Sequence, residues 1–450
     1  MTCQGVSRMA QGADNRSIRM NRRRFVAGAA TLLGAGAFAG AARAQSALQG
    51  VLAAPNRGGW NDQFDTRQAS VRNVASNQPV FSANTLNAMQ QAVSQYQQIA
   101  MSGGWARVPD QSKLELGVQN AAVPYLRERL VASGDLDRSA GASQAFDTYV
   151  DAAVRRFQAR HGLPADGSVG EFTFKALNVP ADMRLNQLNT NIQRLSAIQL
   201  DPGRFVMVNI PAASIEAVEN GRVVQRHTAV VGKIDRQTPI LDSKITNLNL
   251  NPYWHAPASI VRKDIIPLMQ KDPTYLQRND IIIYAGDGSV IPPETINWQT
   301  DEAVKYLFRQ NPGRMNAMSS VKINFPNPYS VYMHDTPQQS VFSQLMRFES
   351  SGCVRVQNVR DLIVWLARDT PGWDRAAIER TISARTRQDV DLTNPVPLHF
   401  TYLTAWATDP TVVQFRDDIY ARDGAEQLVM TDARPTAYAS GEQVYADVPY

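Results

Sequence analysis

Cysteine is almost missing from this chain: two in 450 residues, Cys3 and Cys353. Cys3 lies in an arginine-rich leader, so everything after it holds one thiol and can close no intrachain disulfide. Long apolar runs are missing too, since beyond residue 44 no stretch is long and apolar enough to span a bilayer. An excess of one charge is lacking as well. The formal net charge is +5, but residues 1–44 carry seven arginines (8, 16, 19, 22, 23, 24 and 43) against one acid, Asp14. What remains has 39 basic and 40 acidic side chains, a net of −1, which removes the argument for a nucleic-acid partner. No cluster has the spacing of a zinc site and no glycine-rich loop has the form of a phosphate cradle. No metal and no cofactor is therefore expected.

What is present describes a soluble globular chain. Hydrophobic residues make up 44% and aromatics 8%, and the length calls for two or three domains. The leader, 1–44, runs from Asn21-Arg22-Arg23-Arg24-Phe25-Val26 into a Gly/Ala-rich apolar stretch and ends at Ala42-Arg43-Ala44. It resembles a twin-arginine export signal, which implies a periplasmic protein with no membrane attachment after cleavage. An ordinary secretory signal or an uncleaved anchor is the alternative. Residues 45–112 are rich in Gln, Asn and Ala, carry no chemical motif, and read as a helical scaffold with one helix near Ala83–Met101.

Residues 113–183 read as a compact helical unit. Helices are expected over Val123–Leu130, Phe146–His161 and Glu171–Leu177, with His161 closing the second. The phrases Val154-Arg-Arg-Phe157-Gln158, Gly162-Leu163, Asp166-Gly167 and Gly170–Thr173 resemble a small three-helix peptidoglycan-binding domain. A scaffold without a ligand is the alternative. Residues 184–200 form a linker helix.

At residue 201 the apolar period falls from helical to two. Arg204–Ile210, Ser214–Val218, Arg222–Val231 and Lys244–Leu250 read as strands, with Asn220-Gly221 as a hairpin turn. Within this β domain (201–432), residues 251–318 break the pattern. They read as a Pro-rich capping insert, helical over Ser259–Gln270 and Asp301–Arg309. Strand alternation returns at Val321–Phe325 and Tyr329–His334. Asn358 is a candidate N-cap for a helix over Val359–Arg368, and Pro397–Ala407 a late strand. The tail, 433–450, is polar and expected to lack fixed structure. His227 reads as structural, while His255 is left open between insert core and site.

The chemistry concentrates between Tyr329 and Val356. His334 ends an alternating run that puts Tyr332 and His334 on one face, Val331 and Met333 on the other. Nineteen residues later, Ser350-Ser351-Gly352-Cys353-Val354-Arg355 presents the solitary thiol after a glycine. A thiolate, not a thiol, attacks, so a nearby imidazole that takes the proton makes Cys353 a nucleophile. The alternative is an inert buried cysteine.

The spelling His334-Asp-Thr-Pro followed by Ser350-Ser351-Gly352-Cys353-Val-Arg355 resembles the signature of the L,D-transpeptidases (YkuD-type catalytic domain). Asn251-Pro-Tyr-Trp254 and Asn324-Phe-Pro-Asn-Pro-Tyr are similar to the large periplasmic subgroup, which joins a peptidoglycan-binding domain to a capped catalytic domain. The resemblance implies an α+β multidomain protein: a mainly-β L,D-transpeptidase catalytic domain with a helical capping insert, plus a small three-helix peptidoglycan-binding domain. It implies peptidoglycan stem peptides and the sacculus as partners, and carbapenems as inhibitors. Cys353 would attack the diaminopimelate–D-Ala carbonyl after His334 takes its proton. N–H groups of Ser351, Gly352 and Cys353 would hold the oxyanion, at about 3 kcal/mol per donor. Arg355 would meet a stem carboxylate or form a surface ion pair. Tyr332 and Trp254 would line the cleft or pack in a core. One departure stands out, because the histidine usual before the glycine is Ser351 here. A carboxypeptidase or endopeptidase using the same pair, or a non-catalytic wall-binding protein, are the other readings.

Overall fold

The computed structural model of the chain describes residues 78–109, 113–199, 201 and 203–424. The leader and tail expectations, and residues 45–77, lie outside the described residues.

Helix α1 (Ala83–Met101) begins at Ser82, whose extended backbone and capping box with Thr85 satisfy the first free N–H groups. The helical unit follows as α2 (Val123–Ala132), α3 (Thr148–Arg160) and α4 (Glu171–Leu177) around Leu126, Val150, Val154, Phe157 and Phe174. Asp147 caps α3 by accepting from the N–H groups of Tyr149 and Val150. Gln158 closes the turn beyond: its amide donates to Asp166 Oδ1 at 2.9 Å, and its carbonyl accepts the Gly167 N–H at 2.9 Å. Gly167 has φ +78°, and a Cβ there would lie 2.4 Å from Asp151 Oδ1, so only glycine fits. These motif residues hold the fold by bonding to one another. His161 caps α3, donates from Nδ1 to the Phe157 carbonyl at 2.7 Å, and stacks on Phe157 at 3.8 Å. Helix α5 (Ala181–Ala197) starts directly after Pro180, one turn before the expected Leu185, and shares a core with α1 through Met89, Tyr96, Leu188 and Leu195.

The β region opens with β1 (Arg204–Asn209), β2 (Ser214–Glu219) and β3 (Arg222–Gly232). Asn220 (φ 51°) and Gly221 (φ 74°) are both left-handed, as a two-residue hairpin that matches strand twist requires. After β4 (Leu241–Leu250) comes the insert. It contains β5 (Trp254–Ala256), a helical stretch with a π turn at Val261–Ile265 leading into α6 (Ile266–Lys271), and α7 (Tyr275–Arg278). Then follow β6 (Ile281–Tyr284), β7 (Val290–Ile291) and β8 (Leu307–Gln310), which pair with β5 in the order β5-β8-β6-β7. The helix expected over Asp301–Arg309 is instead a 3-10 turn, Asp301–Lys305, running into β8. Phe308 opposite Ile283 gains more from the insert's core than a short helix would offer.

The chain returns as β9 (Val321–Asn324), β10 (Met333–His334), β11 (Phe348–Ser350) and β12 (Val354–Val356), then α8 (Val359–Ala367) and α9 (Arg375–Ser383). It finishes with β13 (Gln388–Thr401), β14 (Ala405–Asp409) and β15 (Val412–Phe415). Nine strands form one sheet in the order β11-β3-β12-β10-β9-β4-β13-β1-β2, and β2 also pairs with β3, so the sheet closes on itself. Only Met333 and His334 of the alternating run enter the ladder. Before them Asn327 ties a loop, its amide donating to the carbonyls of Phe325 and Val331 at 2.9 and 2.8 Å. Asn358 adopts the left-handed conformation (φ 52°) and makes no side-chain cap, contrary to the expected N-cap. The core joins β-strand residues such as Leu248, Ile323, Met333 and Val354 to Leu362 and Ile363 of α8. Each such side chain contributes about 1.5–3 kcal/mol by leaving water.

Candidate active site

Strands β10 and β12 run parallel, with Met333 beside Val354 and His334 beside Arg355. Continued one step back, the register sets Tyr332 beside Cys353, and the Val354 N–H donates to the Tyr332 carbonyl at 3.0 Å. Strand pleating puts Met333 and Val354 in the core and turns Tyr332, His334 and Arg355 to the opposite face, while Cys353, one residue before β12, touches the edge of the core and feels the charges of Lys322 and Arg355 on the site face. The thiol and the imidazole thus lie along neighbouring strands, two residues apart. That is about 8 Å between Cα atoms, a gap two inclined side chains can close. Cys353 is half-buried.

The loop before the thiol is held from several sides. Gly352 has φ +110° and its carbonyl accepts from Thr238 Oγ1 at 2.9 Å. The same hydroxyl accepts the Gly232 N–H at 2.9 Å, and Tyr420 Oη donates to the Gly232 carbonyl at 2.6 Å. A Cβ on Gly232 would lie 2.1 Å from the Arg236 carbonyl, so β3 can end here only on glycine. Ser350 Oγ donates to the Cys353 carbonyl at 2.5 Å and accepts the Gly352 N–H at 3.1 Å. Ser351 Oγ accepts from Arg236 Nη1 at 2.8 Å, and the same guanidinium grips Asp264 at 2.6 and 3.0 Å. Asp264 belongs to the π turn of the insert, so Arg236 ties the loop carrying the thiol to the insert.

Tyr332 is the insert's other attachment. Its side chain packs on the insert's core, which includes Trp254, and its backbone lies beside Cys353, the Tyr332 carbonyl accepting the Val354 N–H. Its ring meets that of His334 edge-on at 5.5 Å. Lys322 Nζ stands 4.3 Å from the Tyr332 ring centroid. Beyond Lys322 the face carries an amide ladder: Asn324 donates to Asn247 and Asn249 at 3.0 and 2.7 Å, and these donate to Asp391 and Asp389 at 2.7 Å each.

Burial governs the charge states. It pushes the Cys353 thiol up to about 11, outweighing the Tyr332 hydrogen bonds and the positive charges of Lys322 and Arg355. It brings His334 down to about 3, helped by Arg355 and Lys322. At neutral pH the resting pair is therefore a neutral thiol beside a neutral imidazole. Nδ1 of His334 lies 2.6 Å from the Asp335 carbonyl, which can only accept, so Nδ1 carries the proton and Nε2 keeps the free lone pair.

The residues singled out from sequence converge unevenly. Cys353, His334, Tyr332, Ser351 and Gly352 come together. Trp254 is 2% exposed and sits in the insert's core, behind Tyr332. Arg355 requires a correction: it is 0% exposed, on the strand beside His334, and can neither grip a substrate carboxylate nor form a surface ion pair. Its charge acts on the thiol and the imidazole from below. Lys322, Arg236 and Asp264 were missed. The alternation Val321-Lys-Ile-Asn placed Lys322 on the right face; what was lacking was the strand pairing that sets it beside His334. A cavity of about 560 Å3 opens beyond the His334 end, against Asp335 and Thr336, and its walls are largely ion-paired (Arg360–Glu379 at 2.7 Å, Arg375–Asp361 at 2.5 Å).

Residues 203–374 match the YkuD family, described as the L,D-transpeptidase catalytic domain. The chain carries an L,D-transpeptidase catalytic domain. Residues 119–177 match a second family, "Putative peptidoglycan binding domain", so the helical unit is of that kind. A Haemophilus influenzae protein named "Putative L,D-transpeptidase" is 34% identical over 244 residues, covering 53% of this chain and 48% of that one. The Mycobacterium tuberculosis N-acetylmuramoyl-L-alanine amidase CwlM is 40% identical over 79 residues, covering 16% of this chain and 20% of its own. The chain therefore spans about half the length of the first relative and a fifth of the second. A crystal structure of the L,D-transpeptidase from Xylanimonas cellulosilytica aligns over 65% of this chain and 99% of its own, at 17% identity. Its TM-score of 0.22 is too low to bear on the fold.

Proposed function

We propose that this L,D-transpeptidase domain forms diaminopimelate–diaminopimelate crosslinks in peptidoglycan through a thioester on Cys353. The observation that carries the reading is the placement of thiol and imidazole two residues apart along adjacent strands, with Nε2 unprotonated. Because both groups rest neutral, proton transfer from Sγ to Nε2 accompanies attack on the diaminopimelate carbonyl. D-Ala leaves with that proton, and the side-chain amine of a second stem displaces the sulfur. The Gly352 N–H is taken by Ser350, so the N–H groups of Ser351 and Cys353 are the oxyanion donors, and Gly352 supplies the bend. Arg355 stabilises the anionic sulfur as it forms.

Hydrolysis of the same thioester, giving a carboxypeptidase, is the second reading. The insert's two contacts beside the thiol, Tyr332 packed on its core and Asp264 paired with Arg236, favour transfer to an amine, because an insert held there limits the access of water. The division at 113–183 and 201–432, export by the 1–44 leader and sacculus binding by the helical unit belong to the same proposal. Sacculi incubated with the full chain should gain crosslinked muropeptides and release D-Ala; release of D-Ala with no new crosslink would decide for hydrolysis. Deleting residues 113–183 should weaken pelleting with sacculi, and unchanged pelleting would leave that unit as scaffold.

A further inference from the structure

Lys322 is out of place for a lysine. It lies mid-strand on β9, half-buried, directly across from His334, and its ammonium reaches over the Tyr332 ring toward the thiol. It has no ion-pair partner among the described residues. The acid whose charge reaches it, Asp389, is held by Arg387 at 2.7 Å and by Asn249 at 2.7 Å. Asn324, its neighbour on the same face, has spent its amide hydrogens on Asn247 and Asn249. The other cations near the thiol are committed: Arg236 to Asp264, and Arg355 to complete burial. A half-buried ammonium with donors to spare is costly until an anion reaches it, and burial lowers its proton affinity accordingly.

We propose that Lys322 is a specificity residue which binds the carboxylate one residue beyond the scissile bond, the C-terminal carboxylate of the donor stem. This rests on the transpeptidase reading above. With the scissile carbonyl at Cys353 Sγ, the next residue carries its carboxylate about 4 Å further on, the length of one residue. Tyr332 neighbours both groups: its backbone lies beside Cys353, and Lys322 Nζ stands 4.3 Å from its ring centroid. The charges on the diaminopimelate side chain lie at the far end of an aliphatic arm. The contact makes the site read a chain end, so stems with a free carboxylate at that distance are donors and longer or capped stems are not.

The test uses the full chain, a tetrapeptide stem, and two amidated versions, one blocked at the terminal carboxylate and one at the diaminopimelate carboxylate. Terminal amidation should lower kcat/KM for D-residue release about 10- to 100-fold in the wild type, mainly through KM, as loss of a charge-assisted hydrogen bond predicts. Lys322→Met should show the same loss on the acid and no further loss on the amide, and Lys322→Arg should restore the preference. Alkylation of Cys353 by neutral iodoacetamide should still reach the wild-type rate at high pH in Lys322→Met, with its profile displaced upward by loss of the lysine's charge. An equal amide penalty in wild type and Lys322→Met overturns the assignment. So does a larger penalty from the diaminopimelate amide, or a Lys322→Met thiol that alkylates at no pH, which would make the loss on the acid a structural one. A wild type that releases nothing from any of the three peptides, although its thiol alkylates, brings down the transpeptidase reading, and this one with it.

Discussion

Two adjacent rows of the same four strands have opposite characters. Reading across β4, β9, β10 and β12, one row is Leu248, Ile323, Met333 and Val354; the next is Asn249, Lys322, His334 and Arg355. The first is at most 1% exposed and faces α8. The second faces the insert and carries the site. A single residue step separates them, because successive side chains on a strand point to opposite faces. The core row can be apolar without interruption, and the site row can hold the Lys322 ammonium, because the pleat keeps them apart.

The largest effect should come from the site row's neighbour. Cys353→Ala should abolish carbapenem adduct formation and all D-Ala release, while the denaturation midpoint moves little. An adduct of undiminished mass on the variant would remove the nucleophile assignment. Crossing to the core row reverses the pattern: Ile323→Ala should cost about 2–5 kcal/mol in urea unfolding. Thiol alkylation kinetics should stay near wild type while the variant remains folded. A core substitution that spared stability and stopped chemistry would erase the distinction between the rows.

His334 belongs to both accounts. His334→Gln should lower turnover about 10²- to 10⁴-fold, the usual contribution of a general base. It should also change the pH dependence of stability. The folded chain protonates this imidazole only near 3, whereas the unfolded chain does so near the ordinary value of 6.5. Between those values the unfolded state holds one proton more, so stability falls as pH drops from about 6.5 toward 3, by up to about 1.4 kcal/mol per unit. Above 6.5 the group contributes no slope. Urea titrations at pH 7, 6 and 5 should fall less steeply for His334→Gln than for the wild type; identical slopes would mean that His334 is not buried neutral.

How much of this the sequence carried depends on the range of the interaction involved. Ala83–Met101 and Glu171–Leu177 were legible to the residue, because helical periodicity and caps are local. So was the Asn220-Gly221 turn. Strand β13 was half-read, since Asn394-Pro395 interrupts its pattern and the strand bulges between Asp391 and Val396 to continue. The insert's sheet was missed because β6, β7 and β8 are two to four residues long and owe their state to each other. The thiol and imidazole were legible because chemistry restricts which residues can serve. The burial of Arg355 was not, since in Val354-Arg355-Val356 a charged residue between two valines reads as the exposed side of a strand. The insert that covers that side is built from residues 40 to 100 positions away. Lys322 was hidden for the complementary reason, its importance lying in what it fails to pair with.

The smallest effect concerns Ser351. At the position where the resemblance to the L,D-transpeptidase signature would put histidine, this hydroxyl accepts one hydrogen bond from Arg236, whose guanidinium keeps Asp264 whether or not the serine is there. Removing the hydroxyl leaves a partly buried guanidinium short of one acceptor, worth about 1 kcal/mol, while the N–H that faces the oxyanion is untouched. Ser351→Ala should therefore slow acylation by a carbapenem about tenfold or less and leave its pH profile unmoved. A fall comparable to that of His334→Gln, or a shifted profile, would give the hydroxyl a direct part in proton transfer. The position would then act through its side chain, and the neutral Cys353–His334 pair would not be the complete proton path.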